Sequence, residues 1–302
     1  MKAPIFLDEK QVKERLRMAD LIPAMEKALI GFSGGKMTQP VRQVISVDPP
    51  GGFYGIMPAL TPEGLGQKIV TFYPPNAEKG IHTHMALIVL NEPETGRPLA
   101  VMDGRLITEM RTAAVSAAAT NLLAAKDAKI LAILGSGVQA RSHLEALRLV
   151  RNFAEVRVWS QTKARAEEFA KESGAKVMSA EGAIRGADVV VTVTSSKTPV
   201  LKGAWLKPGS HVNAIGACRP DWRELDDDAM RNSVVFVDSR EAAMKESGDV
   251  ILSRANIYAE LGDAFAGNVP SRANEITIFK SLGMAVEDIA AALLVYRAAL
   301  RQ

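Results

Sequence analysis

The chain has 302 residues, 47% of them hydrophobic and 24% charged, and a formal net charge of +3. This fits a globular protein of one large or two smaller domains, and the small charge gives no footing for nucleic acid or a membrane surface. No apolar run reaches the roughly 18 residues of a membrane span, and the lone Cys218 excludes an internal disulfide and a cysteine metal cluster.

A single thiol fits a reducing compartment, so a cytoplasmic protein is expected. The stretch MKAPIFLDEKQVKERL, charged every few residues, does not read as a signal peptide. Asp8 is placed to cap a short helix, and Leu21–Phe32 reads as a second, ending at Gly34-Gly35. Strand-like runs follow at Val41–Val47, Phe53–Leu60, Lys68–Tyr73 and Met85–Leu90. The turn-rich Asn91–Pro98 predicts a hairpin returning along Leu99–Met102. Strands without intervening helices imply a mostly antiparallel sheet with helices on one side. Ile107–Ala125, rich in alanine and free of glycine and proline, reads as a long connecting helix.

From Lys129 the pattern alternates. Strands are expected at Lys129–Leu134, Val156–Trp159, Lys176–Met178, Val189–Thr194, His211–Ile215 and Val234–Val237. Helices are expected at Ala164–Glu172 and Ala180–Ile184. Such alternation predicts a parallel sheet covered on both faces. Those six strands already fill a doubly wound domain, so the last helix, with Val286, Ile289, Leu293 and Leu294 at helical spacing, is expected to join the first domain. The expected class is α/β. Residues 1–115, joined by a helix of about 284–302, form an α+β domain with a mostly antiparallel sheet, and residues 116–283 form a Rossmann doubly wound domain.

Lys129–Leu134 runs directly into Gly135-Ser136-Gly137-Val138-Gln139-Ala140, with Leu144 and Leu147 continuing at helical spacing. Strand, glycine turn and helix in that order are the context of a dinucleotide fingerprint. Gly135 allows the tight turn, Gly137 lets the backbone approach a pyrophosphate, and Ala140 lets helix and strand pack closely. The tip of the following strand selects the cofactor. An acid there accepts from the ribose hydroxyl in NAD enzymes. Here the segment is Ser160-Gln161-Thr162-Lys163-Ala164-Arg165, with hydroxyls, an amide and two cations but no acid. NADP(H) is therefore preferred, with NAD(H) possible.

In the first domain Arg42, Lys68 and Arg111 lie in otherwise apolar or structured surroundings. Singly, each reads as a solvent-facing cation; together they would make a carboxylate clamp. His82 and His84 share a face by strand alternation, but no third ligand accompanies them, and no metal is expected. His143 and His211 read as structural. Asp226-Asp227-Asp228 reads as an acid-rich helix start rather than a calcium loop. No G-x-S-x-G element is present.

The chain resembles the ornithine cyclodeaminase/mu-crystallin family. The resemblance rests on Gly66-Gln67-Lys68, on Glu94-Thr95-Gly96-Arg97-Pro98-Leu99-Ala100-Val101-Met102-Asp103-Gly104 and on Arg111-Thr112-Ala113-Ala114. It continues through the fingerprint, Asn213-Ala214-Ile215-Gly216-Ala217 and Phe279-Lys280-Ser281-Leu282-Gly283. It implies a Rossmann domain and a first domain that binds substrate and forms a homodimer through its sheet. By resemblance, Arg42, Lys68 and Arg111 hold the substrate carboxylate, with Lys68 the candidate proton donor. Thr83 and His84 match a stretch near the nicotinamide, and Thr194, Ser195 and Ser196 match a second cofactor loop. Arg111, Thr112 and Ala217 are counted with the cofactor contacts.

Two departures narrow the activity. The cyclodeaminases carry a catalytic aspartate where Ala217 stands, and a glutamate where Gly55 stands before Ile56-Met57-Pro58. Without them the groups expected to activate an amine or water are missing. Arg219-Pro220-Asp221-Trp222-Arg223-Glu224-Leu225-Asp226 is similar instead to the ketimine reductase branch. The resemblance therefore implies NAD(P)H-dependent reduction of a cyclic imino acid. Ornithine or lysine cyclodeamination, alanine dehydrogenase-type amination and a non-catalytic NADPH-binding role are the alternatives.

Overall fold

The computed structural model describes residues 3–270, 272 and 274–301. The chain divides into two compact units, Met1–Arg111 with Gly283–Gln302, and Thr112–Leu282. The helix Arg105–Leu123 runs across that division.

The first unit holds β1 (Ile5–Leu7), β2 (Gln43–Val47), β3 (Gly52–Thr61), β4 (Gly64–Phe72), β5 (His84–Asn91) and β6 (Pro98–Asp103) in one sheet of order β1-β6-β5-β4-β3-β2. Every pairing is antiparallel except β1 with β6, which is parallel. That edge strand escapes sequence reading because its three residues are too few to show alternation. Asp8 caps the helix Glu9–Arg15 in a capping box with Gln11, as its position predicts. Arg42, expected inside a strand, lies just before β2.

Alternation gives this sheet two unlike faces. Met57, Ala59, Lys68, Ile88, Leu90, Ala100 and Met102 point to the buried face. The helices Met18–Ser33 and Ala285–Ala299 pack together, and the latter also lies on β3, β4 and β5, so the last helix does join this unit. The opposite face carries the row Ile45–Tyr54–Thr71–Met85 and the neighbouring Ile56, Ile69 and Leu87. Ile45 keeps 60% and Leu87 51% of its surface exposed.

The second unit contains β7 (Ile130–Leu134), β8 (Glu155–Trp159), β9 (Lys176–Val177), β10 (Val189–Thr192), β11 (His211–Ala214), β12 (Val234–Val237), β13 (Ile257–Glu260) and β14 (Thr277–Lys280). They form one all-parallel sheet of order β13-β12-β14-β11-β10-β7-β8-β9. The expectation of six strands is thus two short. β13 and β14 have only four residues each, and β14 ends on a lysine, so neither shows the apolar run that identifies a buried strand. β14 nevertheless inserts between β11 and β12, where Ile278 and Phe279 are fully buried. Asp226 caps the helix Asp227–Arg231, in line with the reading of its acids.

His143 and His211 are buried in this unit. His143 lies 3.0 Å from Ser116 Oγ and 2.7 Å from the Gln139 carbonyl, and His211 lies 2.9 Å from Thr277 Oγ1. Burial lowers their pKa values to about 4 and about 3. Below the unfolded value near 6.5 the unfolded chain therefore binds more protons than the folded one, and stability falls as pH falls toward 4. Each histidine contributes a slope of up to about 1.4 kcal/mol per pH unit in that window. Guanidinium unfolding between pH 7 and 4.5 should show this, and His143→Gln should flatten the slope; an unchanged slope would show that His143 does not contribute.

Candidate active site

In the first unit the sheet, the connecting helix and the last helix bring Arg42, Lys68 and Arg111 together around residues 283–288. Lys68 sits mid-strand in β4, opposite Met57 and Ile88, and is 1% exposed. Its ammonium lies 2.7 Å from Asp288 Oδ2. Arg111 Nε donates to Asp288 Oδ1 at 3.1 Å, and its Nη1 donates to Glu287 Oε2 at 2.8 Å. Arg42 Nη2 donates to the Gly283 carbonyl at 2.8 Å. The solvent-facing reading of each cation taken singly fails for Lys68 and Arg111, both buried beside carboxylates.

Gly283 shapes this arrangement. Its φ is +78°, a left-handed conformation that glycine adopts without strain. A Cβ there would stand 2.3 Å from Arg111 Nη1.

The carboxylates of Glu287 and Asp288, both fully buried, pair with Arg111 and Lys68. Burial lowers the Lys68 pKa to about 8, with Arg111 and Arg42 pushing the same way and Asp288 opposing them. His84 shares the buried face of the sheet with Lys68, two register steps from Ile88. Burial and the Lys68 and Arg111 charges lower its pKa to about 3, so it is a neutral imidazole at pH 7. Thr83 adjoins it, its carbonyl accepting from Tyr73 N.

Glu287 and Asp288 went unread in the sequence. Their signal is two acids in the first turn of an otherwise apolar helix, Met284-Ala285-Val286-Glu287-Asp288-Ile289. Both are fully buried, and the helix dipole favours carboxylates at that end.

In the second unit the candidate cofactor residues follow the carboxyl ends of four adjacent strands, β11, β10, β7 and β8. Gly135 to Gln139 follow β7, Ser160 to Arg165 follow β8, Thr194 and Ser195 follow β10, and Ala217 follows β11. The chain order reverses between β10 and β7, and ligands of open α/β sheets bind outside the carboxyl ends at such a point. Gly135 has φ +121°, and a Cβ on it would meet the Val193 carbonyl at 2.7 Å. Gly137 caps the helix Val138–Val150 without a side-chain hydrogen bond, and open space surrounds its missing Cβ. A bare helix start beneath open space fits a pyrophosphate. Gln161, Thr162, Lys163 and Arg165 are exposed, and no acid stands among residues 160–165. Thr112, in the connecting helix, is buried, and Thr194 lies beyond the end of β10 rather than within it.

Glu224, also unread as a site residue, ties two of these segments. Its carboxylate accepts from Thr192 Oγ1 at 2.8 Å, Thr194 N at 2.6 Å, Thr194 Oγ1 at 2.7 Å and Gly216 N at 2.6 Å. Asp249 accepts from the Glu224 and Leu225 backbone N–H groups and lies 3.1 Å from Lys280 Nζ.

The model of the ornithine cyclodeaminase/mu-crystallin family matches residues 2–302. A ketimine reductase mu-crystallin of Mus musculus is 50% identical, over 98% of this chain and 97% of its own. The solved Delta(1)-pyrroline-2-carboxylate reductase of Thermococcus litoralis, in complex with NADH and L-proline, superposes with a TM-score of 0.94 at 38% identity, covering 98% of both chains. An archaeal alanine dehydrogenase dimer with bound NAD superposes with a TM-score of 0.93 at 35% identity, over 99% of this chain and 96% of that one.

Gly283→Ala should destabilise the protein by about 2–4 kcal/mol, combining left-handed strain with displacement of Arg111. Gly267→Ala, at φ +74° with open space around it, should lose only the strain component. Equal unfolding midpoints for the two variants would remove Gly283 from any role in seating Arg111.

Proposed function

Because the chain belongs to the ornithine cyclodeaminase/mu-crystallin family, we propose that it is an NAD(P)H-dependent reductase of cyclic ketimine carboxylates. Δ1-pyrroline-2-carboxylate would become L-proline, or Δ1-piperideine-2-carboxylate L-pipecolate. The observation that carries this reading is the convergence of Arg42, Lys68 and Arg111 on the segment Gly283–Asp288, with Lys68 and Arg111 buried there. The relatives named for ketimine and pyrroline-2-carboxylate reduction support it. Ala217 and Gly55 support it against cyclodeamination, since neither position supplies a carboxylate.

The cations bind and orient the imine acid through its carboxylate, and positioning supplies much of the rate in such reactions. A nicotinamide held by the second unit would supply the hydride for the C=N carbon. Lys68 Nζ holds a proton close to the ring nitrogen, and its lowered pKa eases release of that proton. Gly135 to Gln139 receive the pyrophosphate, and the loops at Thr194, Ser195 and Ala217 line the nicotinamide half. Ser160, Gln161, Thr162 and Arg165 receive the adenosine ribose, and their lack of an acid favours NADP(H) over NAD(H). A cytoplasmic location accords with Cys218 being the chain's single cysteine.

Mixing the protein with Δ1-pyrroline-2-carboxylate and NADPH, with NADH in parallel, tests this directly. Reduced nicotinamide should be consumed, with a higher kcat/KM for NADPH. Consumption of NADH alone would overturn the cofactor preference. No consumption with either, but ammonia released from ornithine and NAD, would replace the reductase with a cyclodeaminase.

We further propose that a second copy of this chain covers the outward sheet face. A solvated sheet face normally alternates to polar residues, whereas this one presents Ile45, Ile56, Ile69, Met85 and Leu87. Contiguous apolar surface of this kind marks an interface, and one similar solved structure is a dimer. Sedimentation should give two chains per particle, and Ile45→Lys with Leu87→Lys should give one. A wild-type particle of one chain would overturn the dimer.

A further inference from the structure

The cluster that holds the imine carboxylate contains a group not assigned to it so far. Asp288 lies on the fourth residue of the last helix and is 0% exposed. One of its oxygens is 2.7 Å from Lys68 Nζ, and the other accepts from Arg111 Nε at 3.1 Å. The two cations come from different elements, β4 and the connecting helix, and meet on this one carboxylate. Glu287, the neighbouring acid, pairs with Arg111 and also accepts from the Met284 backbone N–H, which closes the helix start. The two acids therefore divide the work, Glu287 serving the helix and Arg111, and Asp288 serving both cations.

We propose that Asp288 is a positioning residue for imine reduction, holding Lys68 and Arg111 in the geometry that receives the substrate carboxylate and keeping the Lys68 ammonium charged. This rests on the reductase reading above. An ammonium has three N–H groups, so pairing with Asp288 does not exhaust Lys68. A buried ammonium faced only by cations would shed its proton. The charged and titratable groups around Lys68 are Asp288 from the last helix, Arg111 from the connecting helix, Arg42 from the segment before β2 and His84 from β5. Glu287, in the same helix turn, pairs with Arg111, whereas Asp288 pairs with Lys68 itself, so removing the Asp288 charge shifts Lys68 toward the neutral amine.

Asp288→Asn preserves shape and the Oδ1 acceptor for Arg111 but removes the charge. The variant and the wild type would be compared for kcat and KM with Δ1-pyrroline-2-carboxylate from pH 6 to 10, and for binding of pyrrole-2-carboxylate, a planar analogue that is not reduced. The substrate's own titration is common to both proteins and cancels in the comparison. Wild-type kcat/KM should fall as pH rises through about 8, where Lys68 loses its proton. In Asp288→Asn the alkaline limb should move to lower pH by about one unit, and the analogue should bind at least about tenfold more weakly at pH 7.5, as loss of a buried charge partner implies. Unchanged analogue affinity together with an unmoved limb would overturn the proposal.

If Asp288→Asn does not fold, as judged by thermal melting and NADPH binding, Asp288→Glu replaces it. That variant keeps the charge and displaces Lys68 by one methylene, so kcat/KM should drop while the limb stays; wild-type kcat/KM would overturn the proposal. The analogue's binding keeps the two readings apart. A wild type that binds it but reduces no imine disproves the reductase while still testing Asp288.

Discussion

Mutual repulsion among Arg42, Lys68 and Arg111 is the constraint around which the first unit is built. Ammonium and guanidinium groups lose much of their hydration on burial, and removing one partner from a buried pair costs roughly 3–5 kcal/mol. The unit meets this by laying the start of the last helix across the sheet, so that Glu287, Asp288 and the Gly283 carbonyl reach the cations. The helix dipole favours carboxylates in its first turn, and the unusual backbone of Gly283 leaves room for the Arg111 guanidinium.

The second unit solves a different problem. On the proposed reading it presents bare backbone to phosphates and holds several loops in register at the carboxyl ends of a parallel sheet. Gly135 and Gly137 supply the backbone. Glu224 supplies the register, its carboxylate taking one donor from the last residue of β10 and three from the segments after β10 and β11. Asp249 and Lys280 then brace Glu224 from below with backbone hydrogen bonds and charge.

What could be read from the sequence follows the range of the physical signal. The fingerprint was legible because strand, turn and helix are contiguous, and the capping residues Asp8 and Asp226 because caps act within three residues. The hairpins of the first unit were legible through alternation and turn composition. β1, β13 and β14 were not, since three or four residues pair only where distant strands offer edges. Within the cluster, the three cations were legible as basic residues in apolar runs and through family motifs. Their convergence was not, because Asp288 is 177 positions from Arg111. Glu224 escaped notice because acids in a loop of mixed charge look solvated until the donors above them are known.

The discontinuity of the first unit also sets an order in time. The second unit is one uninterrupted stretch ending at Leu282, whereas the first is interrupted and resumes only at Gly283. During synthesis Lys68 and Arg111 therefore emerge long before the carboxylates that accept them. Throughout that interval the sheet's inner face bears uncompensated charge and lacks its covering helix. The first unit is complete only once the segment from Gly283 onward has joined it, whereas the second unit is continuous in the chain.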